Sequence, residues 1–425
     1  MKAIKQILYD FRHQSVISWV TLLGTMLAVF LIMIVVMMQQ IQIAPFAPES
    51  NRDRTLYGRW MAVRYNDDLN VSSSKLGYAM AKQLYDSIPN VEATSYASHD
   101  LSKYVISTNG KLPKSVDVKK VDDQYWKIFN HSFIKGNPFD KAQYEAEANV
   151  AVITESLARD FFETTDVINQ EVMIAHFPYK IIGVVKDVSS LATEAYSQVF
   201  IPLSDNAKKS SRDYWGNIMV YLLAKTSEDI PAIRSEVERR YEVLNTQDRG
   251  DGSQFVYNQQ PFTPEMRVNE HGSNNPPSHE QARKTRYFIY ALLLIVPAIN
   301  LSSMTQSRLR RRIGEFGVRR AFGCTRGKIV SDLLAENFIL TIAGGIIGLV
   351  FSIVFTYLFS DIIFVGSFDD RSAASMYVTP EMIFNLSTFL WTLFFCLILN
   401  VLSAGIPAWR ASRVNPVQAI NMGNK

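Results

Sequence analysis

Ser307–Glu336 reads SRLRRRIGEFGVRRAFGCTRGKIVSDLLAE and carries eight basic residues, Arg308, Arg310, Arg311, Arg312, Arg319, Arg320, Arg326 and Lys328. It is bounded by two runs without Asp, Glu, Lys or Arg, Tyr287–Ser307 and Asn337–Ser360. Two more such runs, Val16–Met38 and Met382–Trp409, lie towards the chain ends. Each has 20 or more residues, enough for a helix to cross roughly 30 Å of hydrocarbon. Short basic loops stay on the cytoplasmic side of a membrane. The quoted stretch is therefore expected inside, and it sets the orientation of everything on either side.

The rest of the charge agrees. Lys2, Lys5 and Arg12 precede the first run, and Arg410, Arg413 and Lys425 follow the fourth. The link between the third and fourth runs holds Asp361, Asp369, Asp370 and Arg371, with Glu381 close by. The block Gln39–Arg286 has 29 Lys and Arg against 32 Asp and Glu, a net of −3, which leaves +7 for the rest of a chain whose total is +4. Four spans then place both termini in the cytoplasm, the large block outside and a small second loop outside. The first run is too long for a typical signal-peptide core and no small-x-small cleavage site follows it, so it reads as a retained anchor. Ile4, Ile7, Leu8 and Phe11 share one helical face. Residues 1–15 thus suit an amphipathic helix in the inner headgroup layer, or an ordinary first turn of the first span.

Of 425 residues, 48% are apolar and only 20% charged, against about 25% charged in soluble domains. A simple soluble enzyme, a disordered chain and an all-membrane carrier are excluded, and +4 is too small a charge to argue for nucleic acid. Cys324 and Cys396 both lie outside the large block, so no disulfide holds that block together.

The block reads as mixed α and β. Helices are expected over Ser74–Ser87, Glu155–Phe162 (capped by Thr154) and Asp229–Leu244. Strands are expected over Val91–Ala97, Val150–Ile153, Val172–Ile174, Tyr179–Val185, Gln198–Pro202 and Ile218–Ala224. Gln247–Ser278, rich in Gly, Pro, Asn and Gln, reads as a mobile loop. His279–Tyr287 is expected to be a helical stalk into the second span, with Gln39–Ile43 its counterpart after the first. No catalytic set emerges. Ser98-His99-Asp100 reads as a polar turn, because adjacent residues cannot form a nucleophile–base–orienter relay. The six histidines include no HExxH pair, and no metal site is expected.

Within the quoted stretch, Ile313, Phe316, Val318 and Phe322 are apolar where a loop should be wet. A short amphipathic helix docking into a partner's groove would use them, as would a purely structural connector. Gly323 is placed to end that helix in a left-handed cap and Thr325 to start the next. The order Glu315-Phe316-Gly317-Val318-Arg319-Arg320-Ala321-Phe322-Gly323-Cys324-Thr325-Arg326 resembles the coupling segment of MacB/FtsX-type ABC transporter permeases, an E-I-G-V-R-R-A-x-G-A-T-R-like run. Phe316 and Cys324 depart conservatively from it. Pro407–Ile420 (PAWRASRVNPVQAI) resembles that family's ending, through Pro407, Arg410, Pro416 and Ala419. In the outer block, Val150–Leu157, Tyr179–Asp187 (YKIIGVVKD) and Gln198–Leu203 resemble its periplasmic core.

The resemblance implies an α-helical membrane protein with four transmembrane helices and a large periplasmic α+β domain. That domain would have a porter-like part and an inserted β-rich part, about Lys114–Asp205. The expected layout is an inner-face helix over 1–15, spans over 16–38, 287–307, 334–360 and 382–407, and the periplasmic core over 39–286. A coupling segment over 308–333, a short outer loop over 361–381 and a cytoplasmic tail over 408–425 complete it. Ile313, Glu315, Gly317, Val318, Arg319, Arg320, Ala321 and Gly323 would contact the ATPase. Pro297 and Asn300 in the second span are either a flexing point at the dimer interface or a tolerated kink with a packing amide. Gly344 and Gly348 in the third allow close helix packing.

A nucleotide-cradling loop needs G-x4-G-K-[ST]. Gly323–Ile329, GCTRGKI, is one residue short between glycines and has Ile329 where Ser or Thr must reach magnesium. The chain is thus expected to bind no cofactor and to be no enzyme, with ATP and magnesium held by a separate cytoplasmic ABC ATPase dimer. The other expected partners are a second permease protomer, identical or not, and the bilayer of the bacterial inner membrane. The first functional reading is efflux of a peptide, drug or similar molecule with a periplasmic adaptor and an outer-membrane channel. The alternatives are lipoprotein release and FtsX-like regulation of a cell-wall hydrolase.

Overall fold

An apolar run with no proline and one glycine has no reason to leave the helical state, and helix α1 (Ser15–Ile43) runs through the first charge-free stretch and five residues beyond it. The computed structural model describes residues 15–65, 71–99, 101–108, 110–204, 214–247, 252–270, 283–292 and 313–364, with residues 280 and 295 and scattered positions between 378 and 401. The chain divides into two compact units: Ile41–Glu280 with Phe364–Tyr377, and Met1–Gln40 with Gln281–Ile363 and Val378–Lys425.

The first of these units is the α+β domain. Its elements begin with β1 (Thr55–Gly58), β2 (Trp60–Tyr65), β3 (Val71–Lys75), α2 (Tyr78–Tyr85), β4 (Val91–Ser98), β5 (Ser102–Ser107) and β6 (Lys114–Val121). They continue with β7 (Phe133–Gly136), β8 (Val150–Thr154), α3 (Glu155–Phe162), β9 (Glu171–Ile174), β10 (Phe177–Val185) and β11 (Val199–Pro202). The last are β12 (Ile218–Ala224), α4 (Ile230–Asn245), β13 (Ser253–Phe255) and α5 (Pro264–Val268).

Two hydrophobic cores lie along one sheet. Strands β6, β11, β8, β10, β9 and β5 pair in that order, and β5 pairs back onto β6. The result is a closed ring whose core joins Val118, Ile153, Ile181, Val184 and Val199 to Leu157 and Phe161 of α3. The ring includes β5, earlier in the chain than Lys114. The sheet then leaves the ring through one paired position, Ala97 opposite Val121, into β4, β12 and β1. All seven residues of β12 are buried, as a strand covered on both faces requires. Met80, Leu84 and Tyr85 of α2 join Ile233, Val237, Tyr241 and Leu244 of α4 in the second core, against Val220 and Leu222. The α4 positions recur at helical spacing, and each such side chain buried contributes about 1.5–3 kcal/mol. A small sheet, β13-β2-β3, packs its Met61, Val63 and Phe255 into the same core.

Three expectations need correction. The helix expected from Ser74 starts at Tyr78, after Gly77. Ser72, Ser73 and Ser74 instead pair with β2, since serine's hydroxyl competes for backbone groups and weakens a helix. Thr154 precedes α3 but its side chain makes no cap bond. Asp187 does so from the loop after β10, accepting from the Ser156 backbone N–H at 3.2 Å and its hydroxyl at 2.7 Å. Within the stretch expected as a mobile loop, residues 252–270 are built into the domain. Phe255 pairs with Val63, Phe262 with Tyr57, and the Gln260 amide oxygen accepts from the N–H groups of Arg59 and Trp60 at 2.7 and 2.8 Å. Side-chain amides and aromatic rings anchor what the composition suggests is loose.

In the other unit, α6 (Ile313–Ala321) precedes α7 (Arg326–Leu358). Among the described residues, Leu22–Ile43 and Arg326–Leu358 are long and apolar enough to cross a membrane by length and composition. At 33 residues, α7 is about 50 Å long. It starts eight residues before 334, so the end of the expected coupling segment belongs to the same helix as the third span.

Candidate functional site

Helix α6 is short, and its ends are set by identifiable residues. At its C-terminus Gly323 takes φ +88°. Its N–H donates to the Arg320 carbonyl at 3.0 Å and the Cys324 N–H to the Arg319 carbonyl at 3.0 Å, the paired bonds of a Schellman cap. The chain turns, and the Thr325 hydroxyl accepts from the Lys328 N–H at 3.4 Å to open α7. Lys328 pairs with Asp332 at 3.0 Å one turn on. Gly317 is buried and Arg319 and Arg320 are half-buried. Val318 is 46% exposed and Phe322 89%. Among the described residues both apolar side chains stand open at a capped helix end. Ile313, Glu315 and Ala321 lie in the same helix, so eight candidate positions, Gly323 included, fall on one helix and its cap.

The two glycines of α7 meet α1. A Cβ at Gly348 would sit 2.6 Å from the Met26 carbonyl oxygen and 3.1 Å from Val29 Cβ. One at Gly344 would lie 3.0 Å from Thr25 Cβ. The helix backbones thus approach as closely as small-xxx-small spacing allows. The seam continues through an edge-on Phe30–Phe355 pair at 5.4 Å and the Thr356 hydroxyl against Met37 Sδ at 3.6 Å. Leu23, Leu27 and Leu31 of α1 and Val350, Phe351 and Val354 of α7 are all exposed. Pro297, Asn300, Pro407, Arg410, Pro416 and Ala419 lie outside the described residues.

Sequence reasoning singled out nothing in the segment that leaves α1, yet a buried polar network starts there. Arg52 is 2% exposed and donates through Nη1 to the carbonyls of Ile41 at 2.7 Å and Ala44 at 3.1 Å. Its Nε pairs with Glu49 Oε2 at 2.7 Å, and its guanidinium lies 4.4 Å from the Phe46 ring centre. Glu49 Oε1 accepts from the backbone N–H groups of Glu194 at 2.9 Å and Ala195 at 3.1 Å. The Glu194 carboxylate pairs with Arg267 at 2.5 Å and accepts from the Tyr221 hydroxyl at 2.8 Å. Lys119 donates to the Glu194 carbonyl and, at 3.0 Å, to the Tyr221 hydroxyl. Burial pushes the Glu194 carboxyl up, but Arg267, Arg59 and Lys119, with the Tyr221 hydrogen bond, outweigh it and hold the group well below the usual carboxylate range. The network's members come from residues 41 to 267, so no local sequence pattern could reveal it.

The described residues thus hold two helices long and apolar enough to cross a membrane and one α+β domain. The sequence pattern of the MacB-like periplasmic core domain matches residues 18–240, and that of the FtsX-like permease C-terminal region matches residues 287–416. The first alone covers more than half of the 425 residues, and the chain belongs to the MacB/FtsX-type ABC transporter permeases of the inner membrane. It is 23% identical over 313 residues to the ABC transporter permease YknZ of Bacillus subtilis strain 168, covering 71% of this chain and 69% of that one. It is 22% identical over 320 residues to the macrolide export ATP-binding/permease protein MacB 1 of Yersinia pestis bv. Antiqua, covering 73% of this chain and 44% of the exporter. The chain thus spans under half the length of that exporter. Among solved structures, the extracellular domain of YknZ matches with 13% identity and a TM-score of 0.33, over 46% of this chain and 99% of that one. The periplasmic region of MacB from Actinobacillus actinomycetemcomitans matches with 14% identity and a TM-score of 0.33, over 47% and 88%.

Proposed function

We propose that this permease transmits ATP-driven motion from a separate cytoplasmic ATPase dimer to its outer domain, and that the motion drives efflux of a peptide, drug or similar molecule. In this reading two protomers pair, each crosses the membrane four times with both termini inside, and residues 39–286 work in the periplasm with an adaptor and an outer-membrane channel. The segment Ile313–Gly323 docks on the ATPase: Val318 and Phe322 enter a groove while Arg319 and Arg320 face acidic groups. Gly344 and Gly348 hold the third span against the first, and Pro297 and Asn300 adjust the second. The carrying observation is α6 itself, a helix capped at Gly323 with Phe322 exposed beside it. Macrolide-export relatives support efflux.

The test uses the permease purified with the ATPase it brings along. Glu315→Lys and Arg320→Glu are each expected to reduce ATP hydrolysis to the level of the ATPase alone while membrane insertion is unchanged. Normal hydrolysis in both variants would end the coupling assignment. Recovery of a cell-wall hydrolase instead of an adaptor would replace efflux with the regulatory alternative.

A further inference from the structure

The sheet of the α+β domain is thinnest where the ring meets the α2–α4 core. There β4 and β6 share one paired position, Ala97 opposite Val121, and the Lys120 N–H donates to the Ser98 hydroxyl at 3.1 Å. The next residue, Asp122, reinforces this seam with its side chain. Its Oδ1 accepts from the Ser95 hydroxyl at 2.7 Å and the Tyr125 N–H at 3.0 Å, and its Oδ2 from the Tyr96 N–H at 2.8 Å. Two of these bonds hold β4, whose Tyr96 belongs to the α2–α4 core. The third holds the helical turn Tyr125–Ile128.

Asp122 is 3% exposed, and among the described residues no cation pairs with it. A carboxylate taken out of water without a cation is costly. The groups around it do not offset that cost. Asp123 has the same sign, and Tyr96, Tyr125 and Tyr144 are phenols that burial raises, so they stay neutral. Tyr78 lies edge-on to Tyr96 at 5.5 Å. The nearby cations are engaged elsewhere: Lys82 lies 4.7 Å over the Tyr96 ring and Lys120 5.5 Å over Tyr104, Lys119 donates to the Glu194 carbonyl, and Arg240 donates to the carbonyls of Leu84 and Asp86. Burial accordingly raises the Asp122 carboxyl from 3.8 to about 7, against the lowering by its bonds from Ser95, Tyr96 and Tyr125. The Ser95 hydroxyl can reverse, donating to the carboxylate or accepting from the neutral acid, so the contact survives protonation.

We propose that Asp122 is a proton-operated clasp at the seam between the ring and the α2–α4 core, closed when the carboxyl carries its proton and eased open when the proton leaves. It lies wholly inside the α+β domain and does not rest on the transmission reading above. The sign follows from linkage. Once the seam opens, water restores the ordinary carboxyl value, so between 3.8 and about 7 the closed form binds more protons. Opening therefore becomes easier as pH rises through that window and levels off above it.

The experiment is hydrogen exchange on the full-length permease in lipid nanodiscs from pH 5.5 to 8.5, corrected for the intrinsic rise of exchange with pH. In the parent, protection over 94–98 and 121–128 is expected to fall roughly tenfold between pH 6 and 8, and to stay below that of β12 at every pH, as a local opening requires. In Asp122→Asn, which cannot ionise, the fall should vanish. Should that variant fail to fold, Ser95→Ala decides. It removes a bond that is stronger to the ionised form, so the pH at which the fall levels off should move up by about one unit. Infrared spectra should show a protonated-carboxyl band lost between pH 6 and 8 in the parent and absent from Asp122→Asn. A flat parent profile, the same fall in Asp122→Asn, an unmoved profile in Ser95→Ala, or seam protection equal to that of β12 would overturn the clasp.

Discussion

His131 has neither ring nitrogen hydrogen-bonded among the described residues, and its ring sits 5.0 Å from Phe200, 5.5 Å from Trp126 and 5.9 Å from Tyr125. Burial first, and the nearby Lys119 charge second, lower its pKa from 6.5 to about 3. The unfolded chain therefore binds more protons between these values, and stability falls as pH drops from 6.5 towards 3, by up to about 1.4 kcal/mol per unit. Replacing an unpaired polar ring by an apolar one of similar shape is close to neutral where the ring is uncharged. His131→Phe is expected to melt within a few degrees of the parent at pH 7 and clearly above it at pH 4.5, read by thermal unfolding of the full chain. A constant difference at both pH values would contradict the assignment. The Glu49–Arg52 pair poses the opposite problem. Both side chains are almost fully enclosed, and removing one partner strands the other, at about 3–5 kcal/mol.

At the scale of elements, the α1–α7 seam is set by absent atoms. A methyl group at Gly348 would overlap a main-chain oxygen, which cannot rotate away, whereas at Gly344 the nearest atoms belong to the Thr25 side chain. Gly348→Ala is expected to weaken the helix pair by about 1–3 kcal/mol and Gly344→Ala by less, measured by thermal unfolding in detergent. Equal effects would show that the seam relaxes freely. The elements that were legible in the sequence share one trait: β8, β10, β11 and β12 are apolar runs, and α4 repeats its apolar residues every turn. Ser72–Ser74 misled because serine fits an edge strand and a helix start alike, and only Gly77 marks the boundary. The cap at Gly323 was legible because a glycine after a helical run has one favoured use. The buried network was not, because Glu49, Arg52, Glu194 and Arg267 each look like surface charge until the fold buries them together.

Across the whole domain, the ring core and the α2–α4 core meet in the sheet at one paired position. Local unfolding should follow that division. Ile181→Ala removes a side chain wholly buried in the ring, a loss of about 2–5 kcal/mol. Hydrogen exchange is then expected to quicken in β8 and β10 while α4 keeps its protection; equal quickening in both would show one cooperative unit. The setting of the ion pairs also differs across the domain. Lys114–Asp160 is half-exposed on both sides, while Arg52–Glu49 is 2% and 1% exposed. Dissolved ions screen the first kind and scarcely reach the second. A cell moved from fresh water to brine would lose many of this protein's surface attractions, while the enclosed contact beside the end of α1 would keep its strength.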